Sequence, residues 1–194
     1  MKTFLIVATT LDGFIGRDNQ DLSTRWTSKE DAAWFSQRTK QAGVCVMGRK
    51  TYETFNRPLP DRVVIVQTQD PEAFKTKQAR QGVEVELLQA GSPVETLLSR
   101  SKTQVWATDL KLDHLHQLLD SNGLKELAIC GGSSIYTQWL KAGLVDEFYL
   151  TVEPVLFGKG VKLLSEPLDV KLELVSEKKL NERGTRLVEF RVRY

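Results

Sequence analysis

The sequence predicts an α/β fold: a mixed, mostly parallel sheet flanked by helices and closed by a C-terminal antiparallel hairpin. Three observations carry that prediction. Short apolar runs of strand length alternate with helix-like stretches, the rhythm of parallel strands joined by crossover helices. Two long segments near the C-terminus alternate apolar and polar residues across a short polar turn, the pattern of a hairpin. The chain has 194 residues, 41% of them hydrophobic, which suits one domain over residues 1–194 with a continuous core.

In chain order, residues 3–8 read as the first strand and residues 28–41 as a helix. Thr27 with Glu30 three positions on makes a capping box, so that helix is expected to start there. Residues 44–47 and 63–66 are apolar runs of strand length. A short helix is expected after Pro71. Residues 83–88 read as extended, 93–100 as a helix and 104–107 as extended. Residues 112–119 then read as helix, 126–130 as strand, 133–141 as a helix stopped by Gly143, and 147–152 as strand. Residues 170–178 and 185–192 form the hairpin across Asn181, Glu182, Arg183 and Gly184. No repeat or low-complexity tract interrupts the pattern.

Lysine and arginine total 27 against 25 aspartate and glutamate, a net charge of +2 with the signs interspersed. That balance argues against a nucleic-acid platform. The apolar runs are too short to span a bilayer and the N-terminus lacks a signal-peptide pattern, so a cytoplasmic protein without a membrane partner is expected. Cys45 and Cys130 each sit among apolar residues and read as small buried side chains. His114 and His116 diverge as an i, i+2 pair on a helix, so no metal site is expected.

Three constellations carry candidate chemistry. After the 44–47 strand, Gly48, Arg49, Lys50 and Thr51 lead into a helix and offer N–H groups, two cations and a hydroxyl to an anion. By themselves these four residues also fit a basic surface turn. Gly131, Gly132, Ser133 and Ser134 follow another strand in the same way, although a tight turn with a serine cap fits too. The spacing is not G-x-G-x-x-G, and G-x-x-x-x-G-K-[ST] is absent. Two anion sites of this kind in one domain point to a dinucleotide. The third constellation is Asp31 in a first helical turn, with Phe35 and Arg38 on the same face and Trp26 just before it. Such an aspartate can simply complement the helix dipole. Beside aromatic surface it also suits a flat heterocycle, and its carboxyl pKa is expected to rise.

Taken together, these residues resemble the dihydrofolate reductase family along nearly the whole chain. Ile6, Val7 and Ala8, then Asp12, Ile15 and Gly16, are similar to its first strand and the loop over the nicotinamide. Trp26 and Asp31, followed by Ala32, Ala33, Trp34 and Phe35, resemble its pterin-binding segment. Val46, Met47, Gly48, Arg49, Lys50, Thr51, Tyr52 and Glu53 resemble the turn that holds the NADPH phosphates. Arg57, Pro58, Leu59, Pro60, Asp61 and Arg62 keep the family's spacing, with Arg62 where the folate glutamate carboxylate is gripped. Gly131 through Tyr136 resemble the diphosphate loop, and Tyr149, Leu150 and Thr151 the strand whose threonine supports the pterin carboxylate. A second likeness is to the reductase domain of riboflavin biosynthesis, the RibD C-terminal family. It is carried by Val145, Asp146 and Glu147, then by Glu153, Pro154, Val155, Leu156, Phe157, Gly158, Lys159 and Gly160, although that family's Asp-Asn-Pro segment is missing.

The resemblance implies an NADPH-dependent oxidoreductase of dihydrofolate reductase-like fold, with Asp31, Trp26 and Thr151 as catalytic groups. It implies cofactor contacts from Ala8, Ile15, Gly16, Gly48, Arg49, Lys50, Thr51, Thr68, Ile129, Gly131, Gly132, Ser133, Ser134 and Tyr136. Substrate contacts are implied from Ile6, Val7, Phe35, Phe55, Leu59 and Arg62. The reaction implied first is reduction of 7,8-dihydrofolate to tetrahydrofolate by hydride transfer. The riboflavin likeness implies instead 5-amino-6-(5-phosphoribosylamino)uracil as substrate, and a homodimer. A nucleotide-binding module without turnover is the third reading.

Overall fold

In the computed structural model, which describes residues 1–92, 94 and 103–194, the predicted alternation of strands and helices is realised. The strands are β1 (Lys2–Thr10), β2 (Phe14–Gly16), β3 (Val44–Gly48), β4 (Val63–Gln67), β5 (Glu86–Leu87), β6 (Gln104–Thr108), β7 (Glu126–Ile129), β8 (Glu147–Glu153), β9 (Val161–Lys162), β10 (Lys171–Lys179) and β11 (Arg186–Arg193). The helices are α1 (Lys29–Ala42), α2 (Arg49–Phe55), α3 (Pro71–Ala79), α4 (Leu112–Ser121) and α5 (Ser133–Lys141), with a single 3-10 turn at Ser23–Arg25 among the described residues.

The main sheet has the order β10-β11-β8-β1-β7-β3-β4-β6-β5, and β2 pairs with β9 in a separate ribbon. Among the described residues, β11 alone runs against its neighbours, and the other pairings of the main sheet are parallel. Alternation of side chains splits the core in two. Leu5, Val46, Ile65, Leu127 and Ile129 face Leu115 and Leu119 of α4 and Ile135, Trp139 and Leu140 of α5. Phe4, Ile6, Met47, Val64 and Ala128 face Trp34 and Phe35 of α1, Tyr52 and Phe55 of α2 and Phe74 of α3. Burial on both faces is why β3 and β4 read as continuous apolar runs. Cys45 and Cys130 are buried free thiols in this second cluster. No helix among the described residues is long and apolar enough to cross a membrane.

Three local details differ from the sequence reading. α1 starts one residue later than expected, because Ser28 is its N-cap and its hydroxyl accepts from the Asp31 N–H at 3.2 Å. Glu30 does not close a box with Thr27; its carboxylate accepts instead from the Asn181 amide at 3.1 Å. The expected strand 83–88 shortens to β5, because the Val83 N–H turns back to the Gln78 carbonyl and closes the end of α3. The β2–β9 ribbon was not anticipated. The expected helix 93–100 lies outside the described residues except for Val94.

The connections determine where a site can form. β1 passes through α1 to β3, and β3 through α2 to β4, both moving one way along the sheet. β7 passes through α5 to β8 and moves the other way. The adjacent carboxyl ends of β3 and β7 are therefore the switch point, where parallel sheets open a crevice.

Candidate active site

The two glycine turns meet at that switch point. Beyond the regular strands the ladder continues, with the Cys130 N–H donating to the Val46 carbonyl at 2.8 Å and the Gly48 N–H to Gly131 at 2.7 Å. Gly48 and Gly132 are the N-caps of α2 and α5, and neither helix start carries a side-chain cap. In contrast, Ser28 caps α1 and Asp70 caps α3. Among the described residues, two neighbouring helices thus begin with first-turn N–H groups that no side chain caps. The turns also pack closely. A Cβ on Gly132 would stand 2.9 Å from the Thr51 hydroxyl oxygen, and one on Gly48 would stand 3.0 Å from Ile135. Gly131 has φ 119, in the region glycine tolerates, and its peptide to Gly132 is cis. Arg49 and Lys50 are exposed beside this junction, Ser133 is half-buried, and the Ser134 hydroxyl accepts from Gln138. Tyr136 is buried and donates to the Ile6 carbonyl at 3.0 Å, joining α5 to β1.

The predicted carboxylate lies at the end of the next pair of strands. Ile6 and Ala8 of β1 stand in register with Tyr149 and Thr151 of β8, and Thr10 with Glu153. Along β8, Tyr149, Thr151 and Glu153 point to the side covered by α1, where Asp31 is 8% exposed. Burial pushes the Asp31 carboxyl from an ordinary 3.8 to about 6; the Thr151 and Thr27 hydroxyls pull it down, and the nearby Glu153 carboxylate raises it.

Aromatic and apolar side chains pack on the same face of the sheet. Phe35, Phe55 and Leu59 are half-buried against the cluster that contains Ile6 and Met47. The Trp26 ring meets Phe157 edge-on at 5.2 Å, and Arg17 stacks on the same Phe157 at 4.2 Å. The Trp26 indole N–H is buried and has no partner among the described residues. Arg62 is 5% exposed, held by the Pro60 carbonyl at 3.1 Å and the Thr39 hydroxyl at 2.8 Å, and no carboxylate pairs with it among the described residues.

Other predicted residues are placed differently. The Val7 and Ile129 side chains face the α4 and α5 side, away from the face that carries Asp31. Thr68 follows β4, one strand beyond β3, and its N–H donates to the Thr108 carbonyl. Ile15 and Gly16 lie in the β2–β9 ribbon, next to the end of β1. That ribbon is held by Asp12, which accepts from the Thr10 hydroxyl at 2.5 Å and from the Phe157 and Gly158 N–H groups at 3.1 and 2.7 Å.

Sequence reasoning assigned no role at this site to Thr27, Glu153 or Thr185. The signal for Glu153 was present: period 2 along β8 places it on the inward face with Tyr149 and Thr151, an unusual position for a carboxylate.

A sheet with its switch point at two glycine turns and a buried first-turn aspartate beside a strand threonine defines a dihydrofolate reductase-like protein. The family model of the RibD C-terminal domain matches residues 2–186. The dihydrofolate reductase of Buchnera aphidicola is 38% identical over 160 residues, 81% of this chain and 75% of that one. A putative riboflavin biosynthesis protein from Shewanella has the same fold, with TM-score 0.69 and 21% identity over the whole of both chains. So does dihydrofolate reductase from Enterococcus faecalis, solved with NADP(H), with TM-score 0.64 and 21% identity over 98% of this chain and 94% of that one. The chain belongs to the RibD C-terminal domain family, within the dihydrofolate reductase-like superfamily of reductases.

Proposed function

We propose that this chain is an NADPH-dependent reductase of a dihydropterin, with 7,8-dihydrofolate as its substrate and Asp31 as the essential carboxylate. The observation that carries this reading is the buried Asp31 beside Thr151, with its carboxyl raised to about 6 by burial. A dinucleotide suits the residues at the switch point: two adjacent uncapped helix starts, glycines that allow close backbone approach, and the exposed cations Arg49 and Lys50. The Enterococcus relative with NADP(H) supports the same choice. Arg49 and Lys50 would hold the 2′-phosphate, Gly131, Gly132, Ser133 and Ser134 the diphosphate, and Ala8, Ile15 and Gly16 would border the nicotinamide. When bound, the cofactor supplies the hydride that reaches C6 of the pterin.

The remaining chemistry belongs to the protein. The Asp31 carboxylate accepts hydrogen bonds from the pterin amino group and N3, while Thr151 orients it. By accepting these bonds it favours the substrate protonated at N5, directly or through a water held by the Trp26 indole N–H. Phe35, Phe55 and Leu59 clasp the heterocycle, and Arg62 meets the distal carboxylate. NADPH oxidation with dihydrofolate tests the proposal. Asp31→Asn is expected to lose a hundredfold or more of turnover at pH 7, with partial recovery as pH falls and the substrate is protonated in solution. Unchanged turnover in that variant refutes the role of Asp31.

The RibD C-terminal match favours a second substrate, 5-amino-6-(5-phosphoribosylamino)uracil. Arg62 would then meet its phosphate. A protein that binds NADPH, leaves dihydrofolate untouched and reduces this pyrimidine decides for that reading.

A further inference from the structure

Glu153 ends β8 at 4% exposure, and no cation pairs with it among the described residues. A buried carboxylate without a counter-ion is costly unless its oxygens are satisfied. Each oxygen here has one strong partner from a distant segment. One accepts from the Ser28 N–H at 2.7 Å, at the N-cap of α1. The other accepts from the Thr185 hydroxyl at 2.7 Å, at the tip of the β10–β11 hairpin. The tip is ordered around the same contact. Asn181 donates to the Thr185 hydroxyl oxygen at 2.9 Å and to Glu30 at 3.1 Å, and its own carbonyl accepts from the Thr185 N–H. Ser28 in turn caps the helix by accepting from the Asp31 N–H. One unbroken chain of hydrogen bonds therefore runs from the hairpin tip through Glu153 to the backbone of Asp31.

We propose that Glu153 is a positioning residue: by tying Ser28 to Thr185, it sets where the first turn of α1 holds Asp31 against Thr151. The proposal deepens the reductase reading by adding the hairpin tip to the support of the site. Glu153 also faces Asp31 as a second carboxylate, so removing its charge makes ionisation of Asp31 easier. Tyr136 on α5 also senses the Asp31 charge, and Glu30, joined to the hairpin tip through Asn181, has Lys29 and Arg183 beside it.

Two variants separate charge from tether. Glu153→Gln can keep both contacts, because its carbonyl still accepts from Ser28 and the Thr185 hydroxyl can turn to accept from its amide. Glu153→Ala keeps neither. In unliganded protein, the Asp31 carboxyl followed by carbon NMR is expected to titrate lower in Glu153→Gln, where only the charge is lost, and higher in Glu153→Ala than in Glu153→Gln, because the tether that holds Asp31 against the Thr151 hydroxyl is lost too. Hydrogen exchange at the Ser28 amide is expected to stay slow in Glu153→Gln and to quicken about tenfold or more in Glu153→Ala. An Asp31 midpoint in Glu153→Ala that coincides with that in Glu153→Gln, or a Ser28 amide still protected in Glu153→Ala, overturns the proposal. Neither readout needs substrate, so absence of dihydrofolate turnover in the unaltered protein counts against the reductase reading alone.

Discussion

A carboxyl that binds its proton more tightly in the folded than in the unfolded protein has a cost at neutral pH. For Asp31 the two values are about 6 and 3.8. Below pH 3.8 it is protonated in both states and costs nothing. As pH rises from 3.8 to 6 the unfolded chain releases its proton first, so stability falls through that window and stays lowered above it. The loss is about 3 kcal/mol, from roughly two pKa units. Asp31→Asn is therefore expected to raise Tm by roughly 5–10 °C at pH 8 and to leave it unchanged near pH 3.5, as calorimetry at the two pH values would report. Turnover lost in a variant that is also more stable would assign Asp31 to the chemistry and not to the fold. Asp31 was readable from the sequence because a helix start and neighbouring aromatic residues are local features. Glu153 was passed over because its partners, Ser28 and Thr185, lie 125 and 32 positions away.

At the scale of elements, the glycine turns work as a pair. Each strand-to-helix turn alone also fits an ordinary surface turn, and only their adjacency on β3 and β7 brings two uncapped helix starts together. Gly132→Ala places a Cβ 2.9 Å from the Thr51 hydroxyl oxygen, so that the Thr51 side chain or the turn must shift. NADPH binding, followed by nicotinamide fluorescence, is expected to weaken about tenfold or more. The β2–β9 ribbon is the other element with a clear dependence. Asp12 holds the backbone of Phe157 and Gly158, and Phe157 carries the stack with Trp26 and Arg17. Asp12→Ala is expected to speed hydrogen exchange at the Phe157 and Gly158 amides by at least about tenfold, with amides in β3 and β4 unaffected. The ribbon escaped the sequence reading because strands of three and two residues contain too little periodicity to register.

Across the whole molecule, the two ends of the sheet have separate duties. The carboxyl ends carry the glycine turns and the Asp31 side of the sheet, and the amino ends carry a half-buried ionic contact. Arg38 on α1 makes two bonds to Glu126, at 2.8 and 2.9 Å, and stacks 3.8 Å from the Phe4 ring. Arg38→Leu strands the half-buried Glu126 carboxylate, and a loss of about 2–3 kcal/mol is expected, a fall of roughly 5–10 °C in Tm. Turnover measured well below that Tm is expected to hold, because Glu126 lies beside Lys2 at the far end of β1 from Ala8 and Thr151. A variant that loses activity without losing stability would place Arg38 in the site instead.

The sequence by itself determined the α/β class, the order of strands and helices, the closing hairpin, the two glycine turns and Asp31. Each of these rests on periodicity or capping within a dozen residues, where chain neighbours are also spatial neighbours. The tertiary structure decided that α1 starts at Ser28, that the glycine turns touch, that Val7 and Ile129 turn away from the crevice, and that Glu153 ties α1 to the hairpin. These outcomes depend on which strands become neighbours and on buried polar groups finding partners far along the chain. A buried N–H or carboxylate must be satisfied by whatever the finished fold brings within reach, and local sequence carries no record of that choice.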